Sequence, residues 1–322
     1  MKCLVTGVAG FIGSSLSDEL IRLGHQVAGI DCFLDYYPRL FKEDNLEELR
    51  KSDRFTFVEQ SILTADLQEL LKGVDVVFHL AAQAGVRASW GKDFEIYTEN
   101  NIRGTQRMLE ACKDIKLKKF IYASSSSVYG DALSLPMKET DNPHPVSPYG
   151  VSKLAAEHLT YLYWKNFGIP VISLRYFTVF GPRQRPDMAF HKFLAAALRE
   201  KPIEMYGTGE QTRDFTYISD IVKAHILAAE SPAEGEVFNI GGGNRISLTE
   251  VIPIIEEVTG KKLAIISKPA QKGDARHTYA DITKAGEILH FKPTISVREG
   301  LGRQCAWIKA FWNKKGKENV YR

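Results

Sequence analysis

The stretch KCLVTGVAGFIGSSLSDELIRLGHQVAGID, from Lys2 to Asp31, decides the fold of this chain. A short apolar run rich in β-forming residues leads into a turn with glycines at Gly7, Gly10 and Gly13, and a helical pattern follows. A second apolar run then ends on Asp31. Strand, glycine-rich turn, helix and strand in this order predict a βαβ unit that binds a dinucleotide, because glycine lets the backbone approach a pyrophosphate at the helix N-terminus.

The acidic residue that closes this stretch indicates which dinucleotide is bound. Asp31 lies roughly 20 residues beyond the first glycines, at the position that holds the ribose hydroxyls of adenosine. A carboxylate there repels a 2′-phosphate, so the sequence predicts NAD rather than NADP. The glycine spacing has one residue more than the commoner G-x-G-x-x-G pattern, but the strand, the helix and the acidic residue all stand in register with it.

Strand and helix patterns alternate through the first part of the chain. Apolar strand patterns recur at FTFVEQ, VDVVFHLAA, KKFIYASSSS and PVISLRYF, with helical patterns between them. This alternation predicts an α/β fold with a doubly wound parallel (Rossmann) sheet over residues 1–177. Short mixed elements follow Thr178 and predict a smaller mixed α/β C-terminal domain that binds the substrate over residues 178–322. Some C-terminal segments are expected to return to the first domain.

The composition excludes several classes of protein. The 322 residues are 44% hydrophobic and 25% charged, which is ordinary for a globular protein, and the net charge of +3 predicts no nucleic-acid partner. No run approaches the roughly 18 apolar residues that a membrane span requires. The four cysteines are scattered, so neither a disulfide framework nor a metal site is predicted, and a cytoplasmic location is expected. His79, at the end of a predicted strand, is expected to pack in the sheet.

The stretch from Ser124 to Lys153 carries the residues for proton transfer. Tyr149 and Lys153 are four residues apart in a helical pattern, so they share one helix face. A lysine ammonium beside a phenol favours the phenolate, which predicts a Tyr149 pKa lowered from about 10 toward neutrality. Such a tyrosine can accept and return an alcohol proton, and the serines at the preceding strand end can supply a hydroxyl. Taken alone, a tyrosine and a lysine four residues apart are more often structural than catalytic. The dinucleotide-binding stretch is what favours a catalytic role here.

Arginines in the later loops suggest an anionic ligand. Arg183, Arg185, Arg213 and Arg276 are separated in sequence and follow the predicted dinucleotide unit. Guanidinium groups bind phosphate and carboxylate in a bidentate manner. Ordinary surface arginines account for some of them.

With these residues in hand, the chain closely resembles the extended short-chain dehydrogenase/reductase family, over essentially its whole length. Within that family it looks like the nucleotide-sugar epimerases and dehydratases. The resemblance implies that Ser125, Tyr149 and Lys153 form the catalytic set and that NAD is the cofactor. The positions that it implies for cofactor binding are Gly7, Gly10, Phe11, Ile12, Gly13, Asp31, Leu80, Ala81, Ala82, Asn100 and Lys153.

The residues beside Ser125 narrow the resemblance. Decarboxylases of this family carry Glu at the position of Ser127, and the 4,6-dehydratases carry Asp-Glu at Ser126 and Ser127. Two serines here favour simple epimerisation. The segments AAQAGVRASW, DCFLDYY and GPRQRPDMAFHKF look like those of UDP-glucuronate 4-epimerases, and Thr178 replaces the asparagine common in UDP-galactose epimerases.

The same resemblance implies a substrate site and an assembly. The positions implied for the UDP-sugar are Arg87, Ser126, Ser127, Thr178, Arg185, Phe190, Arg213, Asp274 and Arg276. Among these, Arg213 matches the residue on the diphosphate, Asp274 the one near the uridine ribose, and Phe190 the one by the base. A homodimer through the helices near 94–113 and 147–167 is also implied.

Three functional hypotheses remain after the sequence has been read. The first is epimerisation at carbon 4 of UDP-glucuronate through a transient 4-keto sugar. The second is the same reaction on UDP-glucose or UDP-N-acetylglucosamine. The third is a non-catalytic NAD-binding regulator on the same fold, since fold does not determine function. A regulator is expected to lack Ser125, Tyr149 or Lys153, and all of them are present.

Overall fold

The computed structural model describes residues 1–131, 134–269, 273 and 275–316. Its strands in chain order are β1 (Lys2–Thr6), β2 (Gln26–Asp31), β3 (Phe55–Glu59), β4 (Val76–His79), β5 (Lys119–Ser125), β6 (Val171–Tyr176), β7 (Thr178–Phe180), β8 (Ile203–Tyr206), β9 (Thr212–Tyr217), β10 (Glu236–Ile240), β11 (Arg245–Ser247) and β12 (Ile265–Lys268). Its helices are α1 (Phe11–Arg22), α2 (Arg39–Glu47), α3 (Leu67–Leu70), α4 (Phe94–Tyr97), α5 (Gly104–Cys112), α6 (Pro148–Phe167), α7 (Ala189–Leu198), α8 (Ile218–Glu230), α9 (Leu248–Thr259), α10 (Thr283–Leu289) and α11 (Val297–Lys315).

A parallel sheet forms the centre of the molecule. Within the described residues it has seven strands in the order β10-β6-β5-β4-β1-β2-β3, and we call it the central sheet. Successive strands are added on one side of β1 up to β3 and on the other side from β4 onward. The reversal between β1 and β4 is a topological switch point, where open α/β sheets bind their ligands. The predicted doubly wound sheet is confirmed.

Alternating side chains along the central strands build two cores, one on each face. Cys3 and Val5 of β1 enter one apolar cluster, and Leu4 between them enters the other. Phe78 of β4 enters the first cluster and Val77 the second. Burial on both faces explains why these strands read as continuous apolar runs rather than as alternating ones.

Segments beyond Thr178 contribute to more than one sheet. β10 pairs with β6 at the edge of the central sheet, where Phe238 is in register with Leu174. Elsewhere in the described residues, β7, β9 and β11 form a three-stranded sheet and β8 pairs with β12. None of the described helices is long and apolar enough to cross a membrane.

Local sequence signals explain where α6 begins and ends. The Ser147 hydroxyl caps its first turn by accepting a hydrogen bond from Gly150 N at 3.1 Å, and Pro148 occupies the first helical position. At the other end Gly168 adopts a left-handed conformation with φ of 70°. Because the cap sets the first turn, Tyr149 emerges close to the end of β5.

Candidate active site

The β1–α1 turn packs tightly against the end of β4. Gly7 has a φ of 70°, and a Cβ added there would lie 2.9 Å from Ala81 N. A Cβ on Gly13 would lie 2.3 Å from the Gly7 carbonyl oxygen. Among the described residues, no side chain caps the N-terminus of α1 at Gly10. The free backbone N–H groups of this helix end therefore remain available to an anion such as a pyrophosphate.

Asp31 lies at the end of β2 beside this turn. Its carboxylate accepts hydrogen bonds from Ala9 N at 3.1 Å and Phe33 N at 2.8 Å. The ammonium of Lys42, a residue of α2, is buried and lies 3.7 Å from Asp31 Oδ1. The sequence reading missed Lys42, because only the path of the loop between β2 and α2 brings it there.

The two features open onto one cleft, which we call the dinucleotide cleft. It encloses about 1170 Å³ of space and also contains Ser61 and Ile62 from the loop after β3. The donors on its floor and the carboxylate at its rim fit an NAD molecule. Every residue that the resemblance implied for the cofactor lines this cleft, namely Gly7, Gly10, Phe11, Ile12, Gly13, Asp31, Leu80, Ala81, Ala82, Asn100 and Lys153.

A chain of hydrogen bonds from His79 shapes one wall of the dinucleotide cleft. The Thr105 hydroxyl donates to Asn101 O, so it accepts from His79 Nε2 at 3.0 Å. His79 Nδ1 is then the acceptor for the Thr6 hydroxyl at 2.9 Å, and Thr6 Oγ1 accepts the backbone N–H groups that follow β4. Burial lowers the pKa of His79 to about 3, so the ring stays neutral. His79 is a packed sheet residue, and the described residues contain no cluster that could hold a metal ion.

Tyr149, Ser125 and Lys153 come together where this cleft ends. The Ser125 hydroxyl lies close enough to the Tyr149 phenol to lower its pKa, so the end of β5 meets the first turn of α6. Lys153 lies one turn further along and is 3% exposed. Its ammonium packs 4.5 Å from the centre of the Tyr122 ring.

Burial sets the electrostatics of this group. It raises the pKa of the Tyr149 phenol, while the nearby Ser125 hydroxyl and the charge of Arg185 act in the opposite direction. It lowers the pKa of Lys153 to about 7, against the raising effect of Glu157. The net direction predicted for the Tyr149 pKa is therefore reversed in this structure, because a buried phenolate loses its hydration and this effect outweighs the opposing ones.

Asn101 is a site residue that the sequence reading did not single out. The predicted helix over 94–113 is interrupted by π-helical turns at Thr98–Arg103, between α4 and α5. There the Asn101 amide accepts from Gln83 N at 2.7 Å and donates to Gln83 O and to the Ser152 hydroxyl. Asn101 thus fixes the loop after β4 against α6. The wider helical turns place it, and they have no simple sequence signal.

A second cleft of about 1030 Å³ adjoins the first and shares Tyr36 and Arg185 with it. We call it the substrate cleft. Arg185 forms an ion pair with Asp187 at 2.9 Å. Burial opposes ionisation of Asp187, but the Arg185 guanidinium holds the pKa of that carboxyl below its usual value. The guanidinium of Arg87 lies 4.6 Å from the centre of the Tyr206 ring and spans part of this cleft.

Those of the remaining predicted substrate residues that the structure describes are not among the residues lining either cleft. Ser126 and Ser127 form a half-buried 3₁₀ turn directly after β5, and Thr178 opens β7. Arg213 donates from Nη1 to the carbonyl oxygens of Thr212 at 2.9 Å and Arg276 at 3.1 Å. Asp274 lies outside the described residues.

Phe190 is the residue that the resemblance implies by the nucleotide base. The ring is buried, stacked on Phe215 with the ring centres 4.1 Å apart, and belongs to the core. Its neighbours Met188 and Ala189 line the substrate cleft, as does Phe193 one helical turn later. The backbone of Phe190, rather than its ring, therefore adjoins this cleft.

Comparison with known proteins agrees with this geometry. Residues 3–241 match the NAD dependent epimerase/dehydratase family. The chain belongs to that family. It is 41% identical to a UDP-glucuronate 4-epimerase of Thermodesulfobacterium geofontis over 95% of each chain. It is 46% identical to an uncharacterized UDP-glucose epimerase of Bacillus subtilis, over 97% of this chain and 99% of the relative.

A solved structure extends the likeness to three dimensions. The crystal structure of UDP-glucuronic acid 4-epimerase from Bacillus cereus in complex with UDP-glucuronic acid and NAD superposes with a TM-score of 0.94. That protein is 48% identical, and the match covers 96% of this chain and 99% of the other. The family of this chain is NAD-dependent, which agrees with the dinucleotide cleft.

The contacts of Asp31 lead to a prediction about the cofactor. We expect Asp31→Asn to weaken NAD binding and to narrow the preference over NADP, because it removes the negative charge while keeping one of the two oxygens that accept from the Ala9 and Phe33 amides. Calorimetric titration of both cofactors measures the two affinities. Asp53→Asn, an exposed change outside the cleft, is the control. An unchanged NAD-to-NADP ratio in Asp31→Asn would contradict the role of Asp31.

Proposed function

We propose that this protein is an NAD-dependent epimerase that inverts carbon 4 of a UDP-sugar, and that its substrate is UDP-glucuronate. The observation that carries the proposal is the proximity of the Tyr149 phenol to the Ser125 hydroxyl, with Lys153 one helical turn away. This group lies at the end of a cleft that fits NAD, next to a second cleft containing Arg87, Arg185 and Lys192. Most of the residues that line the substrate cleft lie beyond Thr178, which supports the proposed division into a cofactor domain and a C-terminal substrate domain.

The chain's own residues perform the proton chemistry. Tyr149 takes the proton of the 4-hydroxyl when the sugar is oxidised and gives it back when the 4-keto sugar is reduced. Ser125 donates a hydrogen bond to the same oxygen, and the positive charge of Lys153 stabilises the phenolate. When bound, NAD supplies hydride transfer, accepting hydride from carbon 4 and returning it to the opposite face.

The uronate requires a further property of the site. Oxidation at carbon 4 places a ketone β to the carboxylate on carbon 5, and β-keto acids readily lose carbon dioxide. The site must hold the carboxylate so that the breaking bond does not align with the carbonyl π system. Ser126, Ser127 and Thr178 offer neutral hydroxyls for this purpose, and Arg185 offers a charge-assisted bond.

The second candidate is epimerisation of UDP-glucose or UDP-N-acetylglucosamine. The Bacillus subtilis relative favours it, because that protein is described as a UDP-glucose epimerase. The relatives from Thermodesulfobacterium geofontis and Bacillus cereus favour the uronate instead, because both are described as UDP-glucuronate 4-epimerases.

A panel of UDP-sugars tests the reaction and the base together. With wild-type protein we expect UDP-galacturonate from UDP-glucuronate at a higher kcat/KM than for any neutral UDP-hexose, with products identified by NMR. Tyr149→Phe is expected to lose about 10³-fold or more in kcat and to keep NAD, since it removes the proton acceptor. Tyr161→Phe, an exposed tyrosine on the same helix, is the control.

Three results would count against these assignments. Faster turnover of UDP-glucose would replace the uronate by the second candidate. A Tyr149→Phe variant within a few-fold of wild type would remove Tyr149 as the base. If no UDP-sugar gives an epimer, the non-catalytic NAD-binding regulator is the hypothesis that remains.

The hydroxyls of Ser127 and Thr178 carry a prediction about product partitioning. We expect Ser127→Ala or Thr178→Ala to release more UDP-4-keto-pentose and NADH per epimerisation than wild type, because the carboxylate gains freedom to align with the ketone. NMR of the products and NADH absorbance measure the ratio. Equal partitioning in both variants, with epimerisation intact, would show that these hydroxyls do not restrain the carboxylate.

A homodimer through the exposed face of α4, α5 and α6 is part of the proposal. α6 exposes Leu162 at 50% and Phe167 at 51%, and α4 exposes Ile96 at 42%. Apolar side chains in such a patch favour association with a second copy. We expect a dimer by light scattering and a monomer for Leu162→Glu. Ile288→Glu on α10 is the control, and a Leu162→Glu variant that stays dimeric would contradict this interface.

The thiols support a cytoplasmic location. Cys3, Cys112 and Cys305 are buried and free, and Cys32 is half-buried and free. Free thiols persist in a reducing compartment such as the cytoplasm. Recovery of the native protein from the culture medium rather than from the cell extract would contradict this location.

A further inference from the structure

A buried ion pair lies directly behind the catalytic residues. Arg175 of β6 and Glu157 of α6 each have a side chain only 5% exposed. The guanidinium donates from Nε to Glu157 Oε2 at 3.0 Å and from Nη2 to Oε1 at 2.6 Å. The pair is therefore bidentate, which fixes the orientation of both groups.

The carboxylate of this pair also binds the strand that carries the catalytic serine. The Ser124 hydroxyl donates to Glu157 Oε2 at 2.5 Å, and Ser125 is the next residue of β5. Glu157 lies four residues beyond Lys153, which lies four residues beyond Tyr149. The three side chains therefore share one face of α6. Glu157 joins the catalytic face of the helix to the end of the catalytic strand.

The guanidinium continues the connection on its other side. Arg175 Nη1 donates to the Tyr129 hydroxyl at 2.7 Å, and this hydroxyl donates to Asn239 Oδ1 at 2.7 Å. Asn239 Nδ2 in turn donates to Met137 O at 2.9 Å. Arginine has no acceptor atom, so every donor in this chain is determined. We call Ser124, Tyr129, Glu157, Arg175 and Asn239 the Glu157 network.

Members of the Glu157 network are close in sequence to the residues that carry the proposed reactive and substrate-binding hydroxyls. Ser124 precedes Ser125, and Tyr129 follows Ser127 by two residues. Arg175 precedes Thr178 by three residues along β6 and β7. The network thus fixes both segments that carry the proposed substrate hydroxyls.

Stability alone is a weak reason for such a network. Removing two charges from water costs about as much as their attraction returns, and a well-packed apolar pair of the same volume is often as stable. A bidentate pair with further directed hydrogen bonds instead selects one arrangement of the elements that it joins. Here those elements include β5 and α6, which carry Ser125, Tyr149 and Lys153, together with β6 and β10.

We propose that Glu157 is a positioning residue, whose carboxylate, held by Arg175 and Ser124, places Ser125 and Lys153 for proton transfer. This role rests on the proposed epimerase function and deepens it. Glu157 does not touch the sugar; it acts through the residues that do. Its charge also acts on Lys153.

The charge effect has a definite sign. Lys153 is faced by Tyr149 and Glu157 from α6, by Tyr122 from β5 and by His79 from β4. The last two are neutral rings, and Glu157 raises the pKa of Lys153 against the effect of burial. Replacing Glu157 by glutamine removes this negative charge and leaves Arg175 positive. Lys153 then loses its proton at lower pH, and the fall in activity at high pH shifts to lower pH.

Three variants of increasing severity test the proposal. Tyr129→Phe and Ser124→Ala each remove one hydroxyl and leave the ion pair in place, and Glu157→Gln removes the charge. Glu287→Gln on α10 and Tyr161→Phe on α6 are matched exposed controls. The readouts are kcat and KM on the sugar that wild type epimerises, the pH profile of kcat/KM, NAD affinity, and the unfolding midpoint.

We expect kcat to fall by about 10- to 100-fold in Ser124→Ala and Glu157→Gln, as for a misplacement of about 1 Å, and less in Tyr129→Phe. KM and NAD affinity are expected to stay within about 2-fold of wild type in Glu157→Gln and Tyr129→Phe, because neither residue lines a binding cleft. The high-pH limb shifts to lower pH in Glu157→Gln and stays in place in Ser124→Ala. If Glu157→Gln fails to fold, the kcat values of Ser124→Ala and Tyr129→Phe decide whether the network positions the catalytic groups.

Two results would overturn the positioning role. The first result has two parts. In Ser124→Ala and Tyr129→Phe, kcat per NAD-binding site stays within 2-fold of wild type. In Glu157→Gln, if it folds, the pH profile of kcat/KM does not move. The second result is a loss of activity that follows the loss of folded protein alone. Wild-type turnover of the sugar panel is measured independently, so failure of the epimerase proposal is distinguished from failure of this one.

Discussion

The site depends on how closely the β1–α1 turn lies against the end of β4. At Gly7 a side chain would meet the backbone of Ala81, and at Gly13 it would meet the carbonyl of Gly7. Because only hydrogen fits at both positions, α1 starts beside the switch point and its uncapped N-terminus opens into the cleft. The same approach lets Thr6 hold the segment after β4 through its hydroxyl. Packing in the sheet thereby creates both the anion site and the wall beside it.

Burial then determines how the catalytic groups behave. It raises the pKa of the Tyr149 phenol and lowers that of the Lys153 ammonium, so it favours the neutral form of each. The phenolate needed for catalysis forms only where neighbouring groups compensate, and Ser125 and Arg185 act in that direction. A positively charged nicotinamide ring bound in this cleft would act in the same direction. The phenolate form of Tyr149 would therefore be most populated with the oxidised cofactor bound, which is when the proposed reaction removes the proton of the 4-hydroxyl.

The sequence predicted the parts of this site that depend on neighbouring residues. A strand, a glycine turn and a helix are consecutive, and Tyr149 and Lys153 share one helix, so their relative geometry follows from local structure. The position of Lys42 and the hydrogen bonds between Asn101 and Gln83 depend on loops and π-helical turns, which leave no periodic signal in the sequence. The helical pattern around Phe190 did not show that its ring faces the core. The direction of the Tyr149 pKa shift also required the burial of the folded chain.

The orientation of the substrate carboxylate, rather than the kind of functional group in the site, decides between the two reactions open to a 4-keto uronate. A 4-keto uronate can be reduced again or can lose carbon dioxide, and both outcomes start from the same intermediate. An acidic side chain at Ser126 or Ser127 would add a negative charge beside the carboxylate and a proton donor for other chemistry. Hydroxyls bind the carboxylate without either consequence, but they control its direction only if their own backbone is held still. The Glu157–Arg175 pair lies between the two segments that carry them, with Ser124 on one side and Tyr129 on the other. On the proposed assignment, rigid placement of these neutral donors favours return of hydride over loss of carbon dioxide.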